Sequence, residues 1–152
     1  MILKNVKVYT EDKRFEEGEI RIEEGRFAEN EGAGDGIELD GEGCYAIPGL
    51  IDLHFHGCKG YDFCDGNLEA IQEIAKYEAS VGVTAIAPAT MTLPVEELER
   101  ILATAAEYRR TLHEGADLVG INMEGPFISE VKKGAQDARN IIHCDAEVCR
   151  RF

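Results

Sequence analysis

The chain has 152 residues, 16 of them basic and 30 acidic, for a formal net charge of −14. That balance argues against a nucleic-acid binder or a binder of anionic membrane surfaces, both of which need a basic footprint. No apolar run approaches the roughly 20 residues that cross a bilayer, and Met1-Ile2-Leu3-Lys4-Asn5 does not open a signal peptide. Five cysteines (Cys44, Cys58, Cys64, Cys144 and Cys149), with no CxxC pair, fit reduced thiols in the cytoplasm better than a disulfide scaffold.

Residues 1–46 read as a small β-sandwich-like segment. Ile2, Val6 and Val8 mark a first strand; Ile20, Ile22 and Phe27 mark two more around a Glu23-Glu24-Gly25 turn. A polar, glycine-rich loop is expected over Glu29–Gly36. A short strand through Ile37 and Leu39 then ends at Asp40-Gly41. Strands so few and short do not make a stable sandwich by themselves.

From residue 47 to 152 the pattern changes to strand–helix alternation. An apolar strand over Ile51–Phe55 reads as covered by helices on both faces. Asn67 is placed to cap a helix whose buried stripe is Leu68, Ile71, Ala75 and Ala79, stopped by Gly82. A second strand runs over Val83–Ala89. Thr92 is expected to cap the next helix, with Pro94 in its first turn and Leu98, Ile101, Leu102, Ala105 and Leu112 buried. After Gly115 a third strand, Ala116–Met123, closes on Glu124-Gly125-Pro126. The order β-α-β-α-β predicts an α/β fold with a parallel sheet, whose active sites form at the C-terminal strand ends.

Three chemistry-bearing side chains fall on that rim. His54 and His56 are spaced i, i+2, so in a strand they share a face, and Glu124 ends the third strand. A lone strand histidine is usually structural, bonded to a backbone carbonyl. Two on one face with a carboxylate beside them form a ligand set suited to Zn²⁺ or Fe²⁺. Asp52 reads as a group that orients an imidazole or the strand end rather than as a ligand. His113 reads as a surface residue at a helix C-terminus, and His143 receives no role. Cys58 and Cys64 lie near the histidines in sequence, but at spacings longer than structural zinc sites use.

The run Pro48-Gly49-Leu50-Ile51-Asp52-Leu53-His54-Phe55-His56-Gly57 resembles the first barrel strand of the amidohydrolase superfamily. Within it, Val119-Gly120-Ile121-Asn122-Met123-Glu124-Gly125-Pro126-Phe127-Ile128, followed by Lys132-Lys133-Gly134-Ala135-Gln136-Asp137, resembles the N-acetylglucosamine-6-phosphate deacetylases. The His-x-His strand identifies only the superfamily; the second motif is far more restrictive. The resemblance implies a small β domain and a TIM barrel, a fold of about 250 residues, of which residues 47–152 are the first part, about three strands. It implies metal-dependent hydrolysis of the acetamide of N-acetylglucosamine 6-phosphate, with zinc or iron held by His54, His56 and Glu124. Gln136 falls where many members carry a histidine near the sugar hydroxyls, with Ala135 and Lys133 beside it. Lys132 and Lys133 read either as an attraction for the sugar phosphate or as ordinary surface lysines. The general acid/base aspartate and two further histidines of the family are expected beyond residue 152. The resemblance thus implies an N-terminal portion, inactive alone, of an enzyme that is a homodimer at full length. Two rival readings are another amidohydrolase acting on a cyclic amide or amidated amino acid, and a non-catalytic fragment completed by a partner.

Overall fold

The computed structural model describes residues 1–28, 36–111 and 113–152 and divides the chain into two units, Met1–Pro48 and Gly49–Phe152. In the first unit a central strand, β1 (Ile2–Tyr9), pairs antiparallel with β2 (Phe15–Glu23), which pairs in turn with β3 (Arg26–Phe27). The β2–β3 turn has positive φ at both Glu24 and Gly25, the backbone that matches the twist of a tight hairpin. Two short strands, β4 (Glu38–Asp40) and β5 (Tyr45–Ala46), add to β1 in parallel. Val6 is buried next to a register shift between Leu3 and Val6. Phe15 stacks between Tyr9 and Tyr45, with ring centroids at 5.2 and 4.7 Å. The loop expected over Glu29–Gly36 lies, but for Gly36, outside the described residues.

The second unit carries three parallel strands, β6 (Leu50–Asp52), β9 (Val83–Ile86) and β10 (Asp117–Leu118), in the order β10-β9-β6. A small hairpin, β7 (Gly57–Cys58) and β8 (Tyr61–Asp62), follows β6. Helix α1 (Leu68–Ser80) links β6 to β9, and α2 (Val95–Tyr108) links β9 to β10. A final short helix, α3, spans Ala146–Arg151. The Asn67 side chain caps α1 as its sequence predicts, accepting from the Ala70 N–H at 2.8 Å. Of the stripe expected for α1, Ile71 and Ala75 are buried, but Leu68 and Ala79, at the two ends of the helix, are exposed; Ile71, Ile74 and Ala75 meet Ile101 and Ala105 around Phe63, Ile86 and Leu118. Each large aliphatic side chain removed from water in this way contributes about 1.5–3 kcal/mol. Leu112 lies outside the described residues.

The sheet is mixed with helices as expected, but its strands are shorter than the apolar runs. The strand expected over Ile51–Phe55 stops at Asp52, because the Asp52 carboxylate accepts the His54 N–H at 3.0 Å and turns the chain out of the ladder. The runs Val83–Ala89 and Ala116–Met123 pair only as far as Ile86 and Leu118; Pro88 has no N–H to donate, and pairing resumes at a single bridge between Ala89 and Asn122. Leu50, Ile51 and Leu53 are more than half exposed, so the strand expected to be covered on both faces is not. Thr92 does not cap α2. That helix starts at Val95, after a Pro94 that makes no side-chain cap bond, and the Thr92 hydroxyl is buried elsewhere.

Candidate metal centre

Two short segments build the centre. The first is the turn after β6. With the His54 N–H held by Asp52, His54 and His56 project their rings edge to face, with centroids 5.7 Å apart. The second is the segment after β10, which brings the Glu124 carboxylate to them: its Oε2 lies 3.1 Å from His56 Nε2 and 3.8 Å from His54 Nε2. One ligand atom from each of the three residues lies within 4.8 Å of the others, the one such group among the described residues.

The chemistry of this group fits a divalent cation. Tetrahedral ligands about 2.1 Å from a metal stand about 3.4 Å apart, a spacing that the two Nε2–Oε2 distances bracket. Glu124 Oε2 and His56 Nδ1 are buried polar atoms with no hydrogen-bond partner. Such atoms are costly to leave unsatisfied, and a carboxylate oxygen facing two imidazoles is satisfied by a cation between them.

Glu124 is held at its backbone by two threonines that follow β9. Its N–H donates to Thr90 Oγ1 at 3.2 Å, and its carbonyl accepts from Thr92 Oγ1 at 2.9 Å. Both threonines are fully buried. Gly125, at φ +101°, must be glycine here, since a Cβ would run into the Thr92 side chain. Thr92 is in turn fixed by Gln136, whose Oε1 accepts the Thr92 N–H at 2.7 Å, and by Asn140, whose amide donates to the Thr92 carbonyl at 3.1 Å.

Of the residues singled out from sequence, the fold brings together His54, His56 and Glu124, with Asp52 beneath them. Gln136 is buried at 5% exposure with its amide oxygen committed to Thr92, so it reaches the centre through that residue. Ala135 is exposed in the preceding turn. Lys133 directs its amine to the Gln136 carbonyl at 2.8 Å. Three residues were missed. Thr90 belongs to no motif, Asn122 lies inside the Val119–Ile128 motif without a role of its own, and Thr92 has the pattern of a helix cap. The available signal was alternation, since Thr90 and Thr92, like Asn122 and Glu124, are spaced i, i+2 beyond a strand.

Among the described residues no cysteine joins the group of three. Burial pushes the Cys64 thiol up to about 11, and its sulfur accepts the Met91 N–H at 3.2 Å. Burial, then the charge of Glu78, raises Cys58 as well. Glu78 is itself raised, first by burial and then by the charge of Asp52.

In sequence and in fold the chain is similar to sugar-phosphate deacetylases. The resemblance seen in the sequence is borne out: relatives named N-acetylglucosamine-6-phosphate deacetylase match the chain, as does an N-acetylgalactosamine-6-phosphate deacetylase of Escherichia coli O157:H7, 29% identical over 88% of this chain and 35% of its own length. The enzyme of Vibrio furnissii is 38% identical over 89 residues, 59% of this chain and 22% of its own length. That of Danio rerio is 34% identical over 137 residues, 88% of this chain and 33% of its own. A solved deacetylase of this name from Thermotoga maritima matches with a TM-score of 0.78 at 26% identity, over 100% of this chain and 39% of that one. The chain thus spans 40% or less of the length of these relatives. No family model matches it.

Proposed function

We propose that this chain forms the first part of a metal-dependent hydrolase that removes acetate from N-acetylglucosamine 6-phosphate, leaving the free amine. The observation that carries the reading is Glu124 Oε2, buried and unsatisfied between the Nε2 atoms of His54 and His56. Those three atoms would hold the cation. Two imidazoles and one carboxylate suit zinc or iron. When bound, such a cation lowers the pKa of a coordinated water from 15.7 to about 7 and polarises an amide carbonyl.

What these residues do is positional. Asp52 sets the turn that presents both imidazoles, Thr90 and Thr92 fix the backbone that carries the carboxylate, and Gln136 fixes Thr92. In this reading residues 47–152 supply three strands of a (β/α) barrel and residues 1–46 part of a small β domain. Lys133, Ala135 and Gln136 mark the side from which the sugar phosphate approaches, and the working enzyme is a cytoplasmic homodimer. Among the described residues the centre holds three ligand groups; the acid/base aspartate and two more histidines that the resemblance implies are not gathered there. The 152-residue chain by itself therefore hydrolyses little or nothing.

The test is to purify the chain, add Zn²⁺ or Fe²⁺, and measure both bound metal and acetate released from N-acetylglucosamine 6-phosphate. Metal binding without appreciable turnover supports the reading. Turnover at the rate of a full-length deacetylase contradicts the incompleteness, and absence of metal binding contradicts the centre.

A further inference from the structure

The regular ladder of β9 ends at Ile86, and beyond the single bridge at Ala89 the chain runs on to Thr92 without strand pairing. Side chains take over there. The Thr92 N–H is accepted by Gln136 Oε1 at 2.7 Å, and the Thr92 carbonyl accepts from Asn140 Nδ2 at 3.1 Å. Two amides thus do for this residue what a neighbouring strand does in a ladder, one accepting and one donating. Their partners fix which end of each amide faces Thr92. An N–H can only donate, so Gln136 presents its oxygen; a carbonyl can only accept, so Asn140 presents its nitrogen.

The two amides stand four residues apart across one 3-10 turn, Ala138–Asn140, which the Asp137 carboxylate caps by accepting the Arg139 N–H at 3.0 Å. Lys133 closes the other side, with its amine on the Gln136 carbonyl. The second end of the Gln136 amide is turned inward as well, with Nε2 on Met91 Sδ at 3.8 Å.

We propose that Gln136 and Asn140 are a pair of positioning residues for the metal centre. They clamp the main chain of Thr92, whose hydroxyl in turn holds the Glu124 carbonyl at 2.9 Å. The proposal rests on the metal reading above; it gives Asn140 a role and makes Gln136 a support of the carboxylate rather than a contact for sugar hydroxyls. The clamp has a polarity. At position 136 Thr92 needs an acceptor, which a Glu carboxyl supplies in either protonation form. At position 140 it needs a donor, and an ionised Asp would set an oxygen against the Thr92 carbonyl. Two substitutions that keep the shape and each add a carboxyl should therefore act in opposite ways. A pair that merely filled space would respond alike to both.

The experiment is a Zn²⁺ titration of the 152-residue chain at pH 8 on the native sequence and on Gln136→Glu, Gln136→Met and Asn140→Asp. The expected result is affinity close to native in Gln136→Glu and a loss of about 10-fold in both Gln136→Met and Asn140→Asp, the low end of what outer partners of metal ligands cost. Adding Asn140→Asp to Thr92→Val should bring no further loss, since the link to Glu124 is already cut. Native affinity in Gln136→Met and Asn140→Asp overturns the role. So do equal losses in Gln136→Glu and Asn140→Asp, and so does a full further loss in the Thr92→Val background. NMR of the metal-free native chain tests the clamp apart from the metal and whether or not the variants fold. Through-hydrogen-bond couplings should join the Thr92 amide nitrogen to the Gln136 side-chain carbonyl carbon, and the Asn140 side-chain nitrogen to the Thr92 carbonyl carbon. Their absence overturns the clamp itself. Their presence in a chain that binds no Zn²⁺ overturns the metal reading, and the positioning role with it.

Discussion

Thr92 donates its hydroxyl to the Glu124 carbonyl at 2.9 Å from a side chain that is 2% exposed. One buried hydrogen bond thus joins the end of the second parallel strand to the residue that carries the only carboxylate of the centre among the described residues. Replacing Thr92 by Val keeps the shape and leaves that carbonyl unpaired. We expect a loss of about 1–3 kcal/mol in urea unfolding together with weaker Zn²⁺ binding, and near-native behaviour in Thr92→Ser.

Gly125 makes the same junction tight. A Gly125→Ala chain must place a Cβ against Thr92 at a φ of +101°, which L side chains rarely adopt. Destabilisation should exceed the roughly 1 kcal/mol of an ordinary Gly/Ala difference. Metal affinity should fall along with the thermal midpoint. A variant as stable as the native chain would show that the backbone at Gly125 can relax.

Glu78 gives a pH dependence with a definite sign. Its carboxyl is raised above the ordinary value by burial and by the charge of Asp52, so over the window between the unfolded and folded values the folded chain binds more protons than the unfolded one. Stability must therefore fall as pH rises through that window. Urea unfolding from pH 4 upward should show this slope, and Glu78→Gln should flatten it and be the more stable chain at neutral pH.

The thiols separate by reactivity. Cys64 is raised to about 11 by burial and holds the Met91 N–H, whereas Cys44, Cys144 and Cys149 are exposed. At pH 8 a disulfide reagent such as DTNB should label the three exposed cysteines promptly and reach Cys64 only on unfolding.

The helices of the second unit were legible because both signals agreed: the apolar stripe of Ile71, Ala75, Ile101 and Ala105 and, for α1, the Asn67 cap. The candidate ligands were legible because His54, His56 and Glu124 are chemistry-bearing residues at the ends of apolar runs. Strand lengths were not. An apolar run records burial, and Phe55 and Ile121 do pack against the core, but burial continues where the regular ladder has given way to separate backbone bonds, such as that from the Ala89 N–H to the Phe55 carbonyl at 2.6 Å. The supporting residues were hidden for a different reason. Thr92 has the local pattern of a helix cap, and only the tertiary placement of the Glu124 carbonyl decides where its hydroxyl goes. Asn122 is unremarkable in sequence because its partners, Leu53 and His54, are 69 and 68 residues away.

The central claim is that His54, His56 and Glu124 form one metal centre. The most direct measurement is Zn²⁺ binding to the purified chain by calorimetry, on the native sequence and on His56→Ala and Glu124→Gln. One ion should bind per native chain, with a large loss of affinity in each variant and the metal-free fold intact. Native-like binding in both variants, or no binding by the native chain, would contradict it.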